Sequence, residues 1–561
     1  MKQLFIAALI AALHFTATAQ NIELDSLIFN SMRQELQRSR QLSLPELSKP
    51  FFTSYLVQDE QTMSMSATLG GLLYSRVQPG RSYGARLMVG SYEQTNELFR
   101  GNAEISGSLS IDNSCSDIRQ ALWLANDALY KHAAEQMAQK LSAIKQSNFP
   151  EDEKGLLDFS HEPEVRLEIS NIAQLPKQAE WEQNLREISA VFQSYPDISS
   201  SSVSLYVSNS NLYFVNTEGT QVKQPHNHAE LIIYATLIQA DGKRIQQKIS
   251  VLERDADSLP KLDSLKQMAH LAANQLLQIN HAPKFSESYS GPVLFEGKAL
   301  GSILLDNLYS GTYSLFSYRG SVTGTRPKTL SDKLNKKIIA NSLTVKDVPS
   351  LCTYNNKALV GSYTVDLEGV IPQPTTTLVE NGMLRRFLND RIPTKVAPRS
   401  TGNTQLNVVG HQLTTAPAPS VAKIEGTGGV SSAELKQKLI GMAKDEGFDY
   451  TYIIRELSTL THPFLIYRVN VATGEEELMQ GAELGHVGLS KLKRIPAISN
   501  TEWVDNISFS NALVSAIYPN GMIVEDVDID RERDKSTVKA PVVENPLKVK
   551  KEEKTTSKKK K

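Results

Sequence analysis

The spacing of apolar residues changes several times along this chain, and each change marks an element. From Asn21 to Gln41 they fall at Leu24, Leu27, Ile28, Met32 and Leu36, which predicts an amphipathic helix before Pro45 and Pro50. Phe51–Val57 is an apolar, aromatic run suited to a strand. Residues 61–110 continue the β-type alternation, with loops expected at Gln78-Pro79-Gly80 and Asn96. The clearest helix is Ser116–Ile144, where Ile118, Leu122, Ala125, Leu129, Ala133, Met137, Leu141 and Ile144 form one stripe. Trp123 and Tyr130 flank that stripe and are expected to pack on a sheet. The polar stretch 145–162 reads as a connecting loop. Val165–Leu175 and Val203–Val215 read as strands, and Asn216–Gly219 (NTEG) as a turn. Ala229–Gln239 is a strand closed by the hairpin signal Asp241-Gly242. Leu262–Ile279 is helical again, and His281-Ala282-Pro283 opens a linker.

The second half reads mostly as strand. Pro374–Glu380, Asn381-Gly382 and Met383–Leu388 make a two-residue type I′ hairpin, because the Asn-Gly pair supplies the positive φ that this turn needs. Two helices interrupt, about Lys298–Tyr309 and about Ala433–Glu446, the latter closed by Gly447. Gly485–Arg494 and Leu513–Val524 are expected strands. The pattern places the main domain boundary near 280–290, between a first half of mixed helix and strand and a second half that is mostly strand. A charged, apolar-poor tail over 528–561 is expected to be disordered.

Length and charge refine this picture. A chain of 561 residues exceeds one ordinary core, and 40% hydrophobic with 22% charged residues is a globular composition. The net charge of −1 hides an asymmetry, since Lys548–Lys561 holds eight lysines and two glutamates. The rest is therefore mildly acidic, which argues against a nucleic-acid binder. At the start, Lys2, the apolar run Leu4–Leu13 and Ala17-Thr18-Ala19 read as a signal peptide over 1–19. An exported protein, periplasmic or extracellular, is expected, with no transmembrane segment. Cys115 and Cys352 are the two cysteines, either one long-range bridge or, by preference, two buried free thiols; a cysteine-rich metal site is excluded.

Few residues offer chemistry. His226, His228 and Glu230 alternate along an expected strand and so face one way, a possible two-histidine, one-carboxylate metal site weighed against an ordinary polar strand edge. His161, His411 and His486 are isolated and read as structural or surface residues. There is no serine elbow, zinc-ribbon spacing or phosphate loop, and Gly320–Gly324 is a polar turn.

A further set of segments, taken in order, resembles the TldD/PmbA ("modulator of DNA gyrase") family. Gly291–Asn307 (GPVLFEGKALGSILLDN) is similar to the helix in which that family carries H-E-x-x-x-H. Leu343–Asp347 (LTVKD), Tyr363–Val370 (YTVDLEGV), Thr377–Arg391 (TLVENGMLRRFLNDR), Arg399–Asn403 (RSTGN) and Tyr213–Gly219 (YFVNTEG) resemble its other motifs. The resemblance implies an α+β fold, with an N-terminal α/β-type domain over 20–285 and a C-terminal domain over 286–527 dominated by antiparallel sheet, and a paired assembly. One subunit type holds zinc through the two motif histidines and a later cysteine; the TldE/PmbA type lacks them. Here the histidine positions are Phe295 and Leu300, Glu296 stands alone, and no cysteine follows Cys352. Catalytic and metal residues are accordingly expected to be absent from that motif, with no cofactor in this chain and zinc in a partner subunit. The reading is a non-zinc-binding, dimer-forming subunit of a peptidase acting on extended peptides. The alternatives are a metallopeptidase with relocated ligands at His226, His228 and Glu230, or a non-enzymatic envelope binding or scaffold protein.

Overall fold

The computed structural model describes residues 23–45, 47–97, 104–146, 155–169, 173–311, 313–319, 329–409, 412–533 and 543–548. The expected signal peptide, the Gly320–Gly324 turn, His411 and the lysine run beyond Lys548 lie outside them.

The first half is one large sheet with helices on a single face. A helix over 23–39 (α1) leads into β1 (Pro50–Thr68), β2 (Gly71–Val89), β3 (Glu104–Ser108), α2 (Cys115–Gln146), β4 (Arg166–Glu168), α3 (Gln178–Ala190), β5 (Ser200–Asn216), β6 (Gln221–Ile238), β7 (Arg244–Glu253) and α4 (Leu262–His281). The seven strands run in the order β3-β2-β1-β5-β6-β4, with β7 also on β6. Strand side chains alternate between faces. One alternating set, including Tyr55, Val57, Leu87 and Tyr213, packs on α1 and α2. Met63, Met65, Leu205 and Leu231 pack on α3 and α4. The opposite set, Leu56, Leu212, Phe214 and Val222, meets Val365, Leu367, Leu406 and Leu413 of the second half.

Several expectations need correction here. Gln78-Pro79-Gly80 is no loop but the middle of β2, with Pro79 opposite Gln61. Because β3 pairs only with Ser82–Arg86, Pro79 lies on an open edge, where a missing N–H is tolerated. Val165–Leu175 shrinks to the three residues of β4 among those described. Trp123 is exposed, while Tyr130 is buried as expected. Helix α3 went unread although Trp181, Leu185 and Ile188 carry its buried stripe.

The second half contains β8 (Tyr289–Glu296), α5 (Gly297–Tyr309), β9 (Leu343–Asp347), β10 (Thr353–Tyr354), β11 (Lys357–Ala358), β12 (Thr376–Glu380), β13 (Met383–Leu384), β14 (Thr404–Val409), β15 (Gln412–Pro417), β16 (Val421–Gly426), α6 (Ser432–Asp445), β17 (Tyr450–Thr459), β18 (His462–Asn470), β19 (Glu476–Met479), β20 (Ala482–Leu484), β21 (Glu502–Phe509), β22 (Ala512–Pro519) and β23 (Gly521–Arg531). Two six-stranded sheets result, β13-β12-β9-β16-β22-β21 and β19-β18-β17-β8-β23-β20. Each is mostly antiparallel with one parallel pair, β16 with β22 and β17 with β8. The Asn381-Gly382 hairpin forms as read, with φ of 46° and 78° at its two turn residues. Helix α6 starts on a Ser431–Glu434 capping box and is followed by Gly447 at φ 79°.

Other readings fail in this half. Gly485–Arg494 is a loop with one tight turn, since Val487 and Leu492 reach the core from a non-alternating spacing. Leu513–Val524 is two strands broken at Asn520. The last strand runs to Arg531 with Ile529 buried, four residues into the expected tail. Cys115 and Cys352 are both free, and Cys352 is exposed rather than buried.

Candidate functional site

The segment that resembles a zinc motif sits where β8 passes into α5. Phe295 is the penultimate residue of β8, clamped between Ile454 and Met522 on the flanking strands. Glu296 is the N-cap in extended conformation, and Gly297 turns the chain at φ 53° while its N–H donates to the Asn520 carbonyl. Leu300 is the fourth helical residue. Phe295 and Leu300 therefore occupy N′ and N4, the two positions whose apolar contact fixes the entry of a chain into a helix. Both are fully buried in one core cluster with Ala299, Ile303 and Leu304. Helix α5 also packs closely on Tyr518 of the same cluster. A Cβ at Gly301 would stand 2.2 Å from the Tyr518 hydroxyl oxygen, so only glycine permits this packing.

Zinc needs N, S or O donors. Two hydrocarbon side chains cannot supply them, and the residues present do not fit the metal. Glu296 points outward instead, 2.9 Å from the Arg455 guanidinium, which also pairs with Glu476 at 2.9 Å and lies 4.6 Å over the Tyr467 ring. This pairing accounts for the Glu296 carboxylate as one member of a partly exposed ion-pair group.

The second candidate does not assemble. His226 and His228 lie on β6 with ring centroids 6.1 Å apart, edge to face. Glu230 is turned to β7, where it accepts from the Ser250 hydroxyl at 2.6 Å. Among the described residues no group of three or more His, Cys, Asp or Glu is close enough to hold a metal ion. Successive same-face side chains on a strand project in parallel, so alternation alone does not make them converge. Burial lowers both histidines, to about 3 for His226 and about 4 for His228. His161 and His486 are exposed, and His161 stands 5.4 Å from the Tyr92 ring.

The other motif segments meet at a single place, the junction of the two halves. Arg391 is fully buried and grips Glu218 through two parallel bonds of 2.8 and 2.7 Å. Its guanidinium also donates to the Ser160 carbonyl and stacks 4.1 Å from the Phe159 ring centre. Glu218 is presented by the NTEG turn, in which the Asn216 side chain accepts from the N–H groups of Glu218 and Thr220. Gly219 sits there at φ 107°. Glu368, from DLEGV, takes the Arg391 N–H at 3.0 Å, the Thr404 hydroxyl at 3.0 Å and the Arg86 guanidinium at 2.7 Å. Asp366 accepts from the N–H groups of Glu368, Val370 and Thr404. Burial, with Glu368 beside it, pushes the Asp366 carboxyl well above the usual carboxylate range; the same two causes raise Asp390. Asp347, from LTVKD, holds Asn403 of RSTGN at 2.6 Å and the Ser420 hydroxyl at 2.8 Å. Burial raises its carboxyl to about 6.

Sequence reasoning quoted most of these residues as motif letters without seeing that they form one network. Glu218, Glu368 and Arg391 stand among other polar residues and were legible only as motif letters; Arg86, Glu97 and Glu104 gave no signal.

Residues 287–439 match the PmbA/TldA metallopeptidase C-terminal domain family. Among solved structures, TldE from Thermococcus kodakarensis superposes with a TM-score of 0.55 at 16% identity, over 89% of this chain and 99% of that one. A protein described as a modulator of DNA gyrase from Thermotoga maritima gives 0.54 at 16%, over 85% and 96%. One of the same description from Bacteroides thetaiotaomicron gives 0.54 at 14%, over 89% and 98%. At these identities the likeness is one of fold. No curated protein matches the chain.

Proposed function

We propose that this chain, whose residues 287–439 match the PmbA/TldA metallopeptidase C-terminal domain family, acts as a non-zinc-binding subunit of a peptidase complex. The observation that carries this reading is the staple at the start of α5: Phe295 and Leu300 fill with hydrocarbon the places that resemble ligand positions, and Glu296 is spent on Arg455. Such a subunit contributes shape and peptide-binding surface, for example by pairing an extended peptide with a sheet edge. Hydrolysis then falls to a zinc-bearing relative.

Export is part of the same proposal, supported by the charged start, apolar run and small-x-small site before Gln20. Among the described residues no helix is long and apolar enough to cross a membrane. N-terminal sequencing of the protein from its native source checks this part and should begin near Gln20.

The decisive experiment is purification from the native source with its bound partners, then zinc analysis and peptide cleavage on the separated components. This chain alone should hold less than stoichiometric zinc and cut no peptide, and the recombined complex should cut. Stoichiometric zinc on the isolated chain at neutral pH overturns the proposal.

A further inference from the structure

The face of the first sheet turned toward the second half is hollow. In register across β5, β1, β2 and β3 lie Phe214, Leu56, Gly84 and Ser106. The next row is Asn216, Ser54, Arg86 and Glu104. Gly84 admits the backbone of β15, since a Cβ there would lie 2.9 Å from the Leu413 carbonyl oxygen. Ser54 and Ser106 beside it are short. Between this floor and the walls made by Phe52, Phe159, Leu367 and Leu413 is a cavity of about 250 Å³. An apolar cavity of about 150 Å³ accepts benzene, so this one has room for a ring and a short chain bearing a head group.

One end of the cavity is charged, and among the described residues its charges do not balance. The Arg86 guanidinium lies 2.7 Å from Glu368, 3.2 Å from Glu97 and 3.5 Å from Glu104. One cation thus faces three carboxylates. The next guanidinium, Arg391, is already taken by Glu218. Glu104 is the most distant of the three from Arg86. Burial pushes its carboxyl up, Arg86 pulls it down, and Glu97 and Glu368 push it up again. An added cation at this end would relieve that repulsion, and a charge-assisted bond in a partly desolvated site is a strong one.

We propose that this cavity binds an amphipathic monocation: a primary ammonium or guanidinium on an aromatic ring or on a chain of three or four carbons. The head group lies against Glu104 and Glu368, and the body lies between Phe52, Phe159 and Leu413. A free arylalkylamine and the side chain of a basic residue on a peptide share this chemistry. The inference stands apart from the peptidase-subunit reading, because no residue of the α5 segment takes part and no zinc-bearing partner is required.

The test uses the full chain and 4-fluorophenethylamine, followed by fluorine NMR and calorimetry. 2-(4-Fluorophenyl)ethanol serves as the neutral twin, and Gly-Arg-Gly as a competitor. The amine should bind with a Kd below roughly 1 mM and the alcohol at least roughly tenfold more weakly. Glu104→Gln should weaken the amine by roughly tenfold or more and leave the alcohol unchanged. Ser106→Leu, which fills the cavity without touching a charge, should abolish binding of both; circular dichroism checks the fold of each variant. Absence of amine binding to the unmodified chain overturns the proposal. So does equal binding of the alcohol, full amine affinity in Glu104→Gln, or retained binding in folded Ser106→Leu. Competition by the tripeptide at lower concentration than the amine assigns the site to peptide side chains; the reverse order assigns it to free amines.

Discussion

At the entry of α5, Phe295 and Leu300, at the places that resemble the histidines of a zinc motif, stand fully buried in hydrocarbon. At the junction of the halves, Glu218, Glu368 and Arg391 carry the letters of the resembling motifs: the Arg391 guanidinium meets Glu218 through two bonds, and its backbone N–H donates to Glu368. The two regions lie on the same chain and share its family likeness, but they answer to different physical demands. A metal site stabilises the fold little unless the metal is present, so its ligands can be replaced by core residues without loss of architecture. A buried ion-pair network cannot be changed one residue at a time. Removing one member leaves a desolvated charge unpaired, which costs far more than the pair as a whole contributes. The family likeness therefore persists where the fold depends on it, which is separate from where the chemistry would be.

The sharpest way to break this comparison is Arg391→Met. It strands Glu218 and should destabilise the protein by about 3–5 kcal/mol in urea unfolding. Arg391→Lys should recover only part of that loss, because an ammonium lacks the planar fork that meets both carboxylate oxygens. A loss under about 1 kcal/mol for the methionine variant would remove the junction from the account.

Next in size is Leu300→Ala, which should cost about 2–5 kcal/mol by opening a cavity beneath the helix. If the alanine variant is as stable as the parent, the staple is not packed as described. Placing histidines at both Phe295 and Leu300 should destabilise the chain too, since imidazoles would be buried without partners. It should not confer tight zinc binding, as measured by dialysis and elemental analysis, because the late cysteine ligand that the resemblance implies has no counterpart after Cys352.

The pH dependence separates the junction from β6. His226 and His228 are buried neutral, at about 3 and about 4. An unfolded histidine titrates near about 6.5, so their share of stability is complete above that value and is lost as the pH falls from 6.5 toward 4. Asp347, raised to about 6, acts in the opposite sense: its share is complete at acid pH and is lost as the pH rises through 6. Melting curves at pH 4.5 and 7 should therefore show less acid destabilisation in a His226→Leu/His228→Leu variant than in the parent. The smallest effect belongs to Glu296→Gln. Its pair with Arg455 is partly exposed, and the change should cost under about 1 kcal/mol. A larger loss would mean that this glutamate holds more than one arginine.

Much of this molecule could be read directly from the order of its residues. The apolar stripe of α2, the Asn381-Gly382 turn and the capping box and closing glycine of α6 are local, because each depends on spacing or on backbone freedom within a few positions. The same holds for the hydrocarbon at positions 295 and 300, which cannot bind an ion in any fold. Reading failed where a residue's role is set by a distant neighbour. Pro79 looked like a turn, but its long strand ends up on an open edge. His226, His228 and Glu230 looked convergent, but Ser250 on the next strand claims the carboxylate. Val487 and Leu492 looked like strand residues, although their loop is bent onto the core.

Short-range pattern by itself determined most of the elements, and the residue types at positions 295 and 300 determined that hydrocarbon stands there, because those follow from backbone geometry and side-chain chemistry. Only the tertiary structure decided that Arg391 meets Glu218 from 173 residues away, and that Arg86 faces Glu97, Glu104 and Glu368 beside a cavity. Electrostatic and packing energies depend on distance in space, and the chain order carries that distance only after the sheets have brought its parts together.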